Sequence, residues 1–302
     1  MKPTPSILFI NILLVFHVSH TAAWGNLGHR TVALVAEKHL TDAGHIYVQN
    51  ILGNVDISDA AIWADWYKDT PEGKSTGTWH FINGNDNPPT SCDLDLARDC
   101  RGERGCIVTA ILNMTSRLGT QTTSEVEKAI ALKFLIHLFG DLYQPLHTEA
   151  LARGGNDIPV LFRGREYNLH FLWDVVFPQT ITSSDETNEV SAAKSWARKL
   201  YDRTSIQAST QYTWRPSHHL FSQNDARPRI ELARRIYSDL DVLGVARETN
   251  RLVCEYVLKD GLSGVKGKEL SGNYYADAIP VVEQQIAKAG RSLGNVINSV
   301  AE

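Results

Sequence analysis

The run Ser124 to His147, SEVEKAIALKFLIHLFGDLYQPLH, decides how the rest of the chain is read. Ser124 followed by Glu127 is a capping box, in which the serine hydroxyl takes the amide of the third helical residue and the glutamate returns to the serine amide. From there Val126, Ile130, Phe134, His137 and Asp141 recur at spacings of three and four along one helix face. Pro145, which has no amide hydrogen, ends the helix. His137 and Asp141 rise from adjacent turns of that face, so an imidazole and a carboxylate reach the same ion. The spacing returns at His170 and Asp174. One such pair is also what a salt-bridged helix turn looks like; two pairs, with His147 close by, point to metal.

Outward from this run the apolar spacing stays helical. Val32, Val35, Ala36 and Leu40 form a stripe, and Ile46 and Val48 suggest a turn or two of helix beyond Gly44. Further helices are expected over about 190–204, 227–260 and 275–299. The β signal is confined to Pro159–Leu169, where Arg163-Gly164 separates two short apolar or mixed runs, a hairpin pattern. No repeat, linker or composition break interrupts the chain. The expectation is an all-α fold with one short β-hairpin, in a single domain over 24–302.

Residues 1–23 are read as a secretory signal peptide. Lys2 supplies the positive end, Ile7–Val18 the apolar stretch and Thr21-Ala22-Ala23 the small residues of a cleavage site. The mature chain then begins at Trp24. No later segment approaches the roughly 20 apolar residues that a membrane span needs. A secreted protein, free of the membrane after cleavage, is expected.

The 302 residues are 43% apolar, 21% charged and 9% aromatic, which excludes collagen, low-complexity disorder and coiled coil. A formal charge of −4 leaves no basic stripe to grip long duplex through phosphates. Cys92, Cys100, Cys106 and Cys254 are an even set, which favours two disulfides in an oxidising compartment. Three pairings are open; Cys100 and Cys106 bracket a Gly-containing turn and could close a small loop. A thiolate zinc site is the rival reading, but no Cys-x-x-Cys is present. Asn113-Met114-Thr115 is a glycosylation sequon.

Nine histidines follow residue 23, and five of them, His29, His80, His137, His147 and His170, lie near an aspartate or the new terminus. Cleavage before Trp24 frees an α-amine, which titrates near ~7.7 to 8.0 and with its own carbonyl forms a five-membered chelate. A terminal Trp is otherwise a core residue. Asp65, in Trp63-Ala64-Asp65, and His80 complete the candidates. His218-His219 reads as a solvated loop rather than a further metal site.

These residues carry a resemblance. Trp24-Gly25-Asn26-Leu27-Gly28-His29, Trp63-Ala64-Asp65, His80-Phe81, Asp86-Asn87-Pro88-Pro89, His137 to His147, Gly154-Gly155-Asn156, Asn168-Leu169-His170 and Trp173-Asp174 are, in order and spacing, similar to the secreted zinc-dependent nucleases of the S-one/P-one type. The resemblance implies a largely α-helical fold shared with bacterial zinc phospholipase C and a cleft holding three zinc ions. It assigns Asp65, His80, His137 and Asp141 to one zinc, and the Trp24 amine and carbonyl, His29 and again Asp141 to its neighbour. His147, His170 and Asp174 take the third. It pairs Cys92 with Cys254 and Cys100 with Cys106.

It further implies hydrolysis of single-stranded DNA and RNA to 5′-phosphorylated products and dephosphorylation of 3′-mononucleotides; a monomer is expected. Asp65 would orient the attacking water and Lys68 would neutralise the phosphate in the transition state. Phe81 would stack on the base, with Asn83, Arg153, Gly154, Gly155 and Asn156 around it. Two positions depart from the family pattern: Asn83 stands where Asp commonly contacts the base, and Arg153 where a small apolar residue flanks the glycine turn. A zinc phospholipase C on the same fold and a non-enzymatic metal-binding glycoprotein are the competing readings. Phe81 and the lack of an apolar lipid-docking stretch speak against the first, and Asp65 and Lys68 beside a full ligand set against the second.

Overall fold

The computed structural model describes residues 24–208 and 241–302. Helices dominate: α1 (Gly25–Lys38), α2 (Asp42–Leu52), α3 (Ile57–Ala60), α4 (Trp63–Tyr67), α5 (Leu96–Asp99), α6 (Ile107–Gly119) and α7 (Glu125–Leu142) precede a β-hairpin, followed by α8 (Leu169–Phe171), α9 (Phe177–Thr182), α10 (Glu189–Ala208), α11 (Val242–Leu252), α12 (Gly261–Val265) and α13 (Asn273–Ala301). Lys74–His80 and Pro145–Thr148 are 3-10 turns, and Leu172–Val176 and Val253–Val257 are π turns. Strands β1 (Pro159–Phe162) and β2 (Arg165–Asn168) pair antiparallel, Pro159 opposite Asn168 and Phe162 opposite Arg165, and form the one sheet among the described residues. The protein is all-α with one short hairpin.

α1 is the central strut. It packs on α13 and α10, while α6 packs on α7, so nearly every residue from Gly25 to Ala36 is buried. Arg30 enters this core as a charge, and its guanidinium reaches Asp59 at 2.6 Å and Glu189 at 2.9 Å. Pairing on both sides offsets the cost of taking it from water.

α7 begins at the capping box: Ser124 Oγ takes the Glu127 amide at 3.3 Å and Glu127 Oε2 takes the Ser124 amide at 3.1 Å. Its last three turns are buried from Phe134 to Leu142. Val126, on the same face as His137, is 72% exposed, in a first turn where Glu125 and Glu127 are exposed too. α2 starts earlier than its apolar residues suggest. Thr41 Oγ1 accepts the Gly44 amide at 3.1 Å, so the helix runs through Gly44, and Ile46 points to solvent. The expected helices at 190–204 and 275–299 fall within α10 and α13. That at 227–260 is met by α11 and its π turn from Val242 onward; the stretch 209–240, with His218 and His219, and residues 1–23 lie outside the described residues.

Disulfides join Cys92 to Cys254 and Cys100 to Cys106. The first ties the loop after His80 to the π turn beyond α11, and the second closes the loop that enters α6. No described helix is long and apolar enough to cross a membrane.

Candidate metal centre

α7 and α1 supply the centre's inner wall. His137 Nδ1 donates to the Ala61 carbonyl at 2.7 Å, which fixes the tautomer and turns the Nε2 lone pair inward. The His29 ring from α1 stacks on it, centroids 3.8 Å apart and 10° from parallel. Such closeness requires Gly140: a Cβ there would sit 2.6 Å from His29 Nδ1. Asp141, one turn beyond His137, lies between four imidazoles. Its Oδ2 is 2.9 Å from His80 Nδ1 and 3.2 Å from His137 Nε2, and its Oδ1 is 3.4 Å from His29 Nε2 and 3.7 Å from His147 Nδ1. Asp65 projects from α4, with Oδ1 3.6 Å from His137 Nε2 and 3.7 Å from His80 Nδ1, and in contact with Lys68 Nζ.

The outer wall is built from irregular backbone. His147 Nδ1 donates to the His80 carbonyl and His170 Nδ1 to the Gly154 carbonyl, each at 2.7 Å. His170 Nε2 lies 2.9 Å from Asp174 Oδ2, and the His147 and His170 rings are 5.0 Å apart. The segment carrying His170 starts where Asn168 Oδ1 caps the Phe171 amide at 2.7 Å, and it widens into the π turn that carries Asp174. Gly154 adopts φ +61°, and a Cβ there would meet the Leu146 carbonyl at 2.6 Å, so glycine is needed to bring this carbonyl to His170.

Gln144 has no counterpart among the expected site residues. Fully buried, it donates from Nε2 to Asp174 Oδ1 and accepts the Leu146 amide on Oε1. Nothing in a loop glutamine's spacing announces that role; only the buried carboxylate opposite gives it one.

Three donor groups result, each with its ligand atoms within 4.8 Å of one another: Asp65, His80 and His137; His29, His137 and Asp141; and His147, His170 and Asp174. His29 Nε2, His147 Nε2, Asp65 Oδ2 and Asp141 Oδ1 are buried without a hydrogen-bond partner, and Asp174 Oδ2 is buried with His170 Nε2 as its near neighbour. Leaving that many buried polar atoms unpaired is costly. Their spacings fit a cation instead, since donors around a tetrahedral ion at about 2.0–2.1 Å stand roughly 3.3 Å apart. Every cysteine is oxidised, so the donors are nitrogen and oxygen only.

Among the protein groups alone, burial pushes the His29 imidazole down and His80 down to about 4, leaving them neutral with lone pairs free for a metal. Burial opposes ionisation of Asp141 too, but the surrounding imidazoles outweigh it and hold the carboxyl well below its usual range. Burial likewise opposes ionisation of Asp174, yet His170 and His147 bring it to about 2.

Trp24 caps α1, fully buried, and its carbonyl accepts the Gly28 amide at 3.0 Å. Phe81 directly follows His80 and is half-buried in extended backbone, while Asn83 is exposed. Arg153 pairs with Asp157 at 3.1 Å on the surface, and Asn156 Nδ2 donates to the Arg153 carbonyl at 2.8 Å, closing the turn. Asn113 is exposed on α6 at the edge of a surface hollow of about 670 Å³, away from the metal donors.

A helical scaffold that gathers buried imidazoles and carboxylates into adjoining donor groups is that of a metal-binding protein. Residues 24–302 match the family model described as S1/P1 Nuclease. The chain is 39% identical to Nuclease PA3 of Penicillium sp and to Nuclease P1 of Penicillium citrinum, in each case over 92% of this chain and 97% of the relative. It is 36% identical to Nuclease S1 of Aspergillus oryzae over 98% of both. The chain belongs to the S1/P1 nuclease family.

Proposed function

We propose that the protein, processed to begin at Trp24, is a secreted monomeric enzyme of one domain over 24–302. It cleaves single-stranded DNA and RNA to 5′-phosphorylated products and dephosphorylates 3′-nucleotides. The observation that carries this reading is the set of unpartnered, buried donor atoms converging in three adjoining groups. Asp65, His80, His137 and Asp141 would hold one zinc, the Trp24 amine and carbonyl with His29 and Asp141 a second, and His147, His170 and Asp174 a third. The all-nitrogen-and-oxygen donor set suits zinc. Bound there, the ions supply Lewis acidity, lowering the pKa of a coordinated water and stabilising charge that develops on phosphate oxygens.

The side chains supply the rest. Asp65 Oδ2, which has no partner within the protein, accepts a proton of the attacking water and aims it at phosphorus. Lys68, held against Asp65 with its side chain 18% exposed, offers its side-chain nitrogen to the phosphate as negative charge builds. Phe81 offers a ring to the base beside the scissile bond, which must leave its stack to enter so enclosed a site. Asn113 carries the glycan.

The test is hydrolysis of single-stranded DNA, RNA, 3′-AMP and phosphatidylcholine, each with and without chelator. Chelator-sensitive cleavage of the first three is expected. Turnover of the lipid alone, or of nothing, overturns the reading.

A further inference from the structure

α6 has two faces. Ile107, Val108, Ile111, Met114 and Leu118 are buried in the core. On the other side Asn113, Ser116 and Arg117, spaced by three and four, line the hollow of about 670 Å³, whose far wall is Thr122, Thr123 and Glu127 at the entry to α7. None of its lining residues is a metal donor. Arg117 spans the hollow: its Nε donates to Asn113 Oδ1 at 2.9 Å, and its Nη1 lies 3.8 Å from Glu127 Oε1. A guanidinium only donates, so the amide oxygen of Asn113 faces Arg117, and Nδ2, the atom to which an N-linked glycan is joined, points away from it. The connection between the two helices is loosely tied. The Thr120 amide is 3.4 Å from the Arg117 carbonyl and the Thr123 amide 3.4 Å from the Thr120 carbonyl, both at the weak end of hydrogen bonding.

We propose that this hollow is a carbohydrate site whose occupant is the first N-acetylglucosamine of the glycan on Asn113, folded back onto its own protein. The inference rests on the glycan reading above and extends it, from a modified side chain to a bound sugar that ties α6 to the start of α7. The lining suits a sugar. Arg117 and the threonine hydroxyls bond its hydroxyls and acetamide oxygen, and the half-buried Leu112, also in the lining, meets the C–H face of the ring. Each of these contacts is weak. The tether compensates, because a ligand joined at the lip of its own site is present there at an effective concentration on the order of millimolar. The occupied hollow steadies the turn that launches α7, the helix carrying His137 and Asp141, without touching the donors themselves.

The experiment follows hydrogen exchange over residues 119–124 in the zinc-loaded protein as secreted from a eukaryotic host. Four forms are compared: the intact glycoprotein, the same protein trimmed by endoglycosidase H to a single N-acetylglucosamine, the protein freed of sugar by peptide N-glycosidase after folding, and Asn113→Gln. The first two are expected to exchange alike. The two sugar-free forms are expected to exchange about tenfold faster, the change that one or two net hydrogen bonds make to a local opening. In Arg117→Ala, removing the sugar is expected to change exchange little, because the sugar's main partner in the hollow is gone. Equal exchange with and without sugar, protection lost already on trimming to one sugar, or an undiminished effect of the sugar in Arg117→Ala overturns the docking. Mass spectrometry that finds Asn113 unmodified strikes first at the glycan reading, and the docking falls with it.

Discussion

The two walls of the centre are made from different kinds of backbone. His137 and Asp141 stand four residues apart on a long regular helix, and His29 meets them from a second one. His147 sits in a 3-10 turn, while His170 and Asp174, also four apart, straddle the passage from a three-residue helical turn into a π turn. The inner wall is held mainly by packing on regular helices: His29, His137 and Asp141 have no exposure at all, and one imidazole, His137, also donates to a carbonyl, that of Ala61. The outer wall is held by hydrogen bonds, its imidazoles donating to the Gly154 and His80 carbonyls and Gln144 donating to its carboxylate. One spacing can therefore be built either way, and the two constructions fail differently.

Asp141→Ala is the sharpest test of the inner wall. Its two oxygens face His80 and His137 on one side and His29 on the other, so its loss is expected to release more than one zinc and bring activity to background. Metal analysis that finds one zinc missing, or none, removes Asp141 from the bridging position. Lys68→Ala leaves every donor in place. A fall in turnover of about 10² or more with zinc content unchanged is expected for loss of a charge that acts on the transition state; near-normal turnover sinks that role.

The outer wall breaks through its support rather than its ligands. Gln144→Met keeps the length of the unbranched side chain and removes both hydrogen bonds, leaving Asp174 Oδ1 unpaired. Supporting contacts of this kind are worth about 10- to 100-fold in metal affinity. One zinc is expected to dissociate at limiting metal while the other two stay, with a matching loss of activity. Loss of all three together would mean that the walls do not form separately.

The same contrast explains what the sequence made legible. A capping box, a 3.6-residue period and a proline stop are local signals, and they located α7 and the His137–Asp141 pair. The hairpin was legible for the same reason, since Arg163-Gly164 turns the chain with its own backbone preferences: both take positive φ. Periodicity sets Val126 on the same face as His137 and Asp141, but it says which side a residue is on and not whether a neighbour covers it, and Val126 is 72% exposed. The π turn at Leu172–Val176 leaves no trace in the spacing of His170 and Asp174. Gln144 and the Ala61, His80 and Gly154 carbonyls act only through tertiary contact, which no local pattern encodes.

The smallest expected effect concerns the strip of chain between the walls. The Ile82 amide bonds the His147 carbonyl at 2.9 Å, the Gly84 amide bonds Thr148 at 3.2 Å, and the Ala150 amide returns to Gly84 at 3.0 Å, so the segment carrying Phe81 and Asn83 is laced to the segment carrying His147. Glu149 lies within this lacing, 2% exposed, its Oε1 accepting the Leu151 amide at 2.8 Å. Burial, with the Asp86 carboxyl nearby, raises its pKa from 4.5 to about 8. The folded protein thus holds this proton more tightly than the unfolded chain does. The resulting stabilisation is complete below about 4.5 and is lost as pH rises through about 8. Glutamine has the same shape and no proton to lose, so Glu149→Gln is expected to melt less steeply with rising pH, the gap between melting temperatures at pH 6 and pH 9 narrowing relative to the unaltered protein. Asp86, its pKa raised by burial, titrates together with Glu149, so the comparison reads the pair; the remaining groups are common to both proteins. Parallel melting curves across that interval would show that Glu149 keeps its charge, and that the lacing between the walls tolerates a buried carboxylate.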